Sequence, residues 1–180
     1  MNQVLSFIAH RDHRLMRSIN RWPAPRWIRI WMLCATRGGD GWLWYAMGLV
    51  VLLFGGEQRF RAVGAAALAA AVGILIFLRL KKITGRKRPC TIEPHCWARL
   101  LPPDQFSFPS GHTMTAFSIA LVLCYFYRAV ELPLGFFACS IAISRIVLGM
   151  HFLSDVLAGA VIGVGLGCAS LTAFAAMGLM

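Results

Sequence analysis

Acidic residues are scarce in this chain. Of its 180 residues, seven are Asp or Glu: Asp12, Asp40, Glu57, Glu93, Asp104, Glu131 and Asp155. They are scattered, so the sequence offers no carboxylate cluster to hold a divalent cation. Charge of both signs is low, at 14% of residues, against about 25% in a soluble domain. That excludes an ordinary water-soluble fold. No internal repeat and no low-complexity linker is visible, which excludes a solenoid or a string of modules. Six Cys are present. Cys34, Cys124, Cys139 and Cys168 lie in apolar context and are expected to be ordinary buried residues. Cys90 and Cys96 share a polar loop with His95, but a zinc site would need a fourth ligand. No cleavable signal sequence is legible. The apolar run Val4 to Ala9 is too short and is followed at once by His10-Arg11-Asp12-His13-Arg14, so the spans themselves are expected to direct insertion.

Apolar residues make up 58% of the chain, and the net charge is +11. Nothing resembles a basic recognition helix or an aromatic stacking sheet, so nucleic acid is not the expected partner. The positive charge is read instead as facing anionic headgroups and a phosphorylated substrate. Five apolar segments, roughly 41–56, 62–80, 112–128, 132–149 and 154–178, predict an all-α polytopic membrane bundle of about five spans. Gly159, Gly163, Gly165 and Gly167 in the last segment suit close helix contact in lipid. Residues 1–40 read as interfacial amphipathic helices. Val4, Ile8, Leu15 and Ile19 form one stripe, and Trp22, Trp27 and Trp31 fall where an aromatic belt would sit.

Five spans place the long polar stretch 81–111, His112, Arg145, His151 and Asp155 on one face. Ionisable residues at membrane depth are expensive and so are functional candidates. Three clusters stand out. Lys81 to Pro89 is a basic string leaving a span. Pro109-Ser110-Gly111-His112 opens a helix, with Ser110 placed as N-cap and Gly111 allowing close approach to the free N–H groups, which favour an anion. His151 and Asp155 are four residues apart and can meet at a helix start. A carboxylate on one imidazole nitrogen would leave the other free as base or nucleophile. Cations and backbone N–H groups suit a phosphoryl group, with one His attacking phosphorus and the other protonating the leaving oxygen. Only Asp155 among the acids belongs to this constellation, so the chemistry is expected to need no metal or other cofactor.

In these residues the chain resembles the type 2 phosphatidic acid phosphatases. The pattern is Lys81 with Arg88-Pro89, then Pro109-Ser110-Gly111-His112, then Ser144-Arg145 with His151 and Asp155. The resemblance covers about residues 41–175, and residues 1–40 lie outside its motifs. It implies a lipid phosphatase domain over 41–180 in the cell (inner) membrane, acting on a lipid phosphate or diphosphate. It makes His151 the nucleophile that becomes phosphohistidine, Asp155 its orienting carboxylate and His112 the general acid. Lys81, Arg88, Ser110, the Gly111 amide and Arg145 would hold the phosphate. Phosphatidic acid, phosphatidylglycerophosphate and undecaprenyl diphosphate all remain open as substrates. Transfer to another lipid, or lipid binding without catalysis, remains open beside hydrolysis. Vanadium-dependent haloperoxidases share the motifs but are soluble, which the apolar spans argue against. Fifteen Lys and Arg fall on the site's side of the five-span arrangement against three on the other. The positive-inside rule then favours a cytoplasmic site, whereas the resemblance pulls toward a periplasmic one, and both remain open.

Overall fold

The structure is a computed structural model that describes residues 2–92 and 105–179. Cys96 and His95 therefore lie outside the described residues, as does most of the loop 90–108. Every regular element among the described residues is helical: α1 (Asn2–Asn20), α2 (Arg26–Gly38), α3 (Gly41–Phe54), α4 (Arg59–Thr84), the single turn α5 (Pro89–Ile92), α6 (Gly111–Phe126), α7 (Glu131–Val147) and α8 (Leu153–Ala176). The fold is an all-α membrane bundle. Three segments, 56–84, 128–147 and 153–176, are long and apolar enough to cross a bilayer. Gly41–Phe54 and Gly111–Phe126 are shorter apolar helices.

Small residues decide how closely these helices approach. A Cβ on Gly159 would stand 2.7 Å from the Ser110 carbonyl oxygen, and one on Gly167 2.9 Å from Leu121. One on Gly163 would strike the Met114 carbonyl. The spacing of four puts all three on the α8 face that meets α6. Gly165 is off that face, and a Cβ there would meet nothing. On α4 the buried line Ala62, Ala65, Ala69 and Gly73 lets the helix settle against α6 and α8. With no water to expel between spans, such close packing is the available attraction.

One expectation is corrected. Cys34, Cys139 and Cys168 are exposed and Cys124 is half-buried. In a membrane bundle, apolar sequence context marks the lipid-facing side as readily as the interior. On α1, a face other than the apolar stripe meets the protein. Asp12 and Met16 are buried there, whereas Ile8 and Leu15 are exposed.

Candidate active site

The site forms where the end of α4, the loops 85–88 and 105–110, the start of α6 and the α7–α8 turn meet. Gly85, in the left-handed region at φ 56°, ends α4 and turns the chain back. The returning segment is pinned by the Lys87–Phe106 bridge and by Ser107 N–H donating to the Arg86 carbonyl at 2.7 Å. Gly149, at φ 67°, makes the turn after α7. The N–H groups of Met150 and His151 both donate to the Arg145 carbonyl at 3.0 Å. His151 is thereby presented from a rigid turn and is 1% exposed.

Its partners fix the tautomer. Nδ1 lies 2.6 Å from the Ser107 carbonyl, which can only accept, so Nδ1 carries the proton. Nε2 lies 3.1 Å from Arg88 Nη1, which can only donate, so Nε2 presents a lone pair. Arg88 also donates to the Met150 carbonyl at 3.0 Å and is itself buried. Burial, then the nearby Arg145, Arg88 and Lys81 charges, hold the imidazole's proton affinity well below its ordinary value. The ring is neutral, with its unprotonated nitrogen among cations.

Asp155 is fully buried but does not take the His151 proton as expected. Nδ1 and Asp155 Oδ2 stand 3.9 Å apart. Each oxygen is committed elsewhere. Oδ2 accepts from the Ser107 hydroxyl and, at 2.8 Å, from the Phe152 N–H at the head of α8. Oδ1 accepts from Arg86 Nη1 at 2.7 Å. Ser107 is thus the intermediary, with its carbonyl on His151 and its hydroxyl on Asp155.

Arg86 extends the network to the N-terminal helix. Its Nη2 donates to Asp12 Oδ2 at 2.7 Å. Asp12 also accepts from Ser154 N–H at 3.1 Å and Ser154 Oγ at 2.5 Å. A carboxylate from α1 therefore caps the N-terminus of α8 beside the site. The Arg86 guanidinium lies 4.3 Å above the Phe152 ring.

Ser110 occupies the N-cap position of α6, but its hydroxyl pairs with Thr113 Oγ1 at 2.9 Å rather than with a helix N–H. Its own N–H donates to the Asp155 carbonyl at 3.0 Å, which ties α6 to α8. Gly111 is required for space, since a Cβ would be 2.6 Å from the Phe77 ring. That ring in turn lies 4.3 Å beneath Lys81 Nζ. Arg145 Nη1 donates to Thr36 Oγ1 of α2 at 2.5 Å. His112 Nε2 lies 2.8 Å from Asp40 Oδ1, at the head of α3. The eight residues picked out by sequence thus fall around one centre. Ser107, Arg86, Asp12, Thr36 and Asp40 were missed. Ser107 and Arg86 lie within or beside the recognised motifs. Asp12 and Asp40 had one signal, their rarity as acids.

An apolar cavity of about 610 Å³ runs from this centre between α3, α4 and α6. His112, Asp40 and Gly111 stand at one end, and Leu52, Ile119 and Leu123 line its depth.

The chain is similar to known proteins in sequence and in fold. Residues 60–177 match the PAP2 superfamily. The decaprenylphosphoryl-5-phosphoribose phosphatase of Mycobacterium tuberculosis is 34% identical over 145 residues, covering 76% of this chain and 77% of its own. The crystal structure of Aquifex aeolicus LpxE superposes with a TM-score of 0.76 at 30% identity, covering 88% of this chain and 93% of that one. A transmembrane PAP2-type phosphatidylglycerolphosphate phosphatase from Bacillus subtilis shares the fold, with a TM-score of 0.72 at 23% identity, covering 96% and 86%. With the family pattern spanning well over half its length and the motif residues gathered at one centre, the chain belongs to the PAP2 superfamily.

Proposed function

We propose that this membrane protein is a metal-independent lipid phosphatase that releases a terminal phosphate through a phosphohistidine at His151. One observation carries the reading: the unprotonated Nε2 of a neutral, buried imidazole, 3.1 Å from Arg88 Nη1 and close to the Arg145 and Lys81 charges. The lipid's tail would lie in the cavity and its phosphate among the cations. The phosphoryl group would enter between Arg88 and His151, replacing their contact. Nε2 then attacks in line, forming the P–N bond as the P–O bond to the lipid breaks. His112 gives its proton to the leaving oxygen. Lys81, Arg88, Arg145, Ser110 and the Gly111 N–H take the charge that spreads over the equatorial oxygens. Water then attacks the phosphohistidine, His112 accepts its proton, and phosphate leaves. Asp155 acts on His151 through Ser107 and through its charge at 3.9 Å.

Residues 1–40 would lie in the interface of the inner membrane, with Ile8 and Leu15 turned to lipid, and residues 41–180 would form the multi-pass phosphatase body. The site would face the cytoplasm, in keeping with the basic residues on that side. The first substrates to try are phosphomonoesters on polyprenyl-linked sugars, because the Mycobacterium tuberculosis relative matches over most of both chains. Phosphatidylglycerophosphate, phosphatidate and undecaprenyl diphosphate complete the panel. The test is to quench the purified protein with radiolabelled substrate in excess chelator. An acid-labile, base-stable label that disappears in His151→Ala is expected. Turnover that requires Mg²⁺, or a label retained in His151→Ala, overturns the reading.

A further inference from the structure

One edge of the His112 ring lies against the protein near Gly39. A Cβ on Gly39 would stand 3.0 Å from His112 Cδ2, so the Cδ2 edge rests on the α2–α3 turn. Nε2, next to Cδ2, lies 2.8 Å from Asp40 Oδ1. A carboxylate only accepts, so Nε2 carries a proton, and Nδ1 lies on the opposite edge of the ring. Asp40 precedes the first residue of α3 but does not cap it: its side chain makes no hydrogen bond to the helix N–H groups. Its carboxylate is spent on His112 and, at 3.8 Å, on the exposed Arg37. The side chain is 41% exposed and so is open to water, whereas His112 is 22% exposed.

From this geometry we infer that Asp40, outside the segment matched by the family, is the positioning residue that makes His112 a general acid acting through Nδ1. This rests on the proposed role of His112. The carboxylate holds Nε2–H and favours the imidazolium, which burial first and then the Arg145 and Arg88 charges oppose. In the first half-reaction Nδ1–H passes its proton to the leaving oxygen as the P–O bond breaks. In the second, Nδ1 takes a proton from the attacking water, which restores the imidazolium. No proton is gained or lost over the cycle apart from those of the water consumed. Asp40 keeps the ring in the one tautomer that leaves Nδ1 able to do both.

A general acid matters in proportion to how poor the leaving group is. The experiment compares single-turnover release of leaving group from dioctanoyl phosphatidate, an alkoxide, and from p-nitrophenyl phosphate, a good leaving group. Asp40→Asn is expected to slow the alkoxide substrate by about a hundredfold and the nitrophenyl substrate by less than about threefold, with Asp40→Glu recovering part of the loss. His112→Ala should show the same discrimination. Equal loss on both substrates, or no loss on either, for Asp40→Asn while His112→Ala discriminates overturns the role of Asp40 alone. Failure of His112→Ala to discriminate overturns the general-acid assignment and this inference with it.

Discussion

Replacing Asp12 by Asn tests whether the N-terminal helix is part of the catalytic architecture. Asp12 is 5% exposed. It bonds Arg86 at 2.7 Å, Ser154 Oγ at 2.5 Å and Ser154 N–H at 3.1 Å. Asparagine retains one acceptor for the Ser154 N–H but presents an NH₂ group or a neutral oxygen to Arg86. A hydrogen bond to a charged group contributes about 1.5–3 kcal/mol. The Arg86 side chain is 25% exposed and keeps Asp155, so screening favours the lower part of that range, about 2 kcal/mol. Because Arg86 also holds Asp155, part of this loss should reach the His151 turn. About 1.4 kcal/mol of it in the transition state would lower kcat about tenfold. Thermal unfolding in detergent and kcat on one lipid substrate measure the two effects together. The expectation is a lower Tm and a lower kcat with little change in KM. A variant with wild-type Tm and wild-type kcat would show that the buried carboxylate contributes nothing, and the reasoning from its contacts would fail.

Three further outcomes are expected. A Cβ on Gly48 meets nothing within 4 Å, and Gly48 lines the apolar cavity, so Gly48→Leu should raise KM for long-chain lipid phosphates several-fold. It should leave p-nitrophenyl phosphate turnover unchanged, and equal effects on both would remove the cavity from tail binding. The depressed proton affinity of His151 means that it stays neutral as pH falls below about 6.5. The acid limb of kcat/KM should therefore lie below that value. Through the same shift, the ring's contribution to stability is present above the unfolded value and lost as pH falls through it; a His151 NMR titration at or above 6.5 would contradict both. Lys87 is exposed beside the site, so Lys87→Cys in a cysteine-free background should resist a membrane-impermeant maleimide in intact cells. Prompt labelling would place the site outside the cytoplasm.

Much of the candidate centre could be read from the sequence because its parts are local. A Gly before His112 at a helix mouth, a basic string leaving a span, and His151 four residues ahead of Asp155 are short-range patterns with short-range physics. The helical spans could be read for the same reason, since a lipid-buried backbone must satisfy its hydrogen bonds within each segment. The glycine period on α8 announced a tight helix contact but not its partner. Only the folded chain showed that Gly159, Gly163 and Gly167 meet α6 while Gly165 does not.

What needed the tertiary structure was pairing between distant segments. The spacing of His151 and Asp155 suggested a direct bond, yet Ser107 takes the Nδ1 proton, and Asp155 spends its oxygens on Ser107, Phe152 and Arg86. Carboxylates and guanidiniums have several bonding sites, and which neighbours fill them depends on loops remote in sequence. Asp12, Thr36 and Asp40 gave no local sign of the partners they reach across 74, 109 and 72 residues. The sequence by itself determined the helices, the motif residues and their shared face. The tertiary structure decided which polar atom answers which, because a buried charge accepts whatever partner packing brings to it.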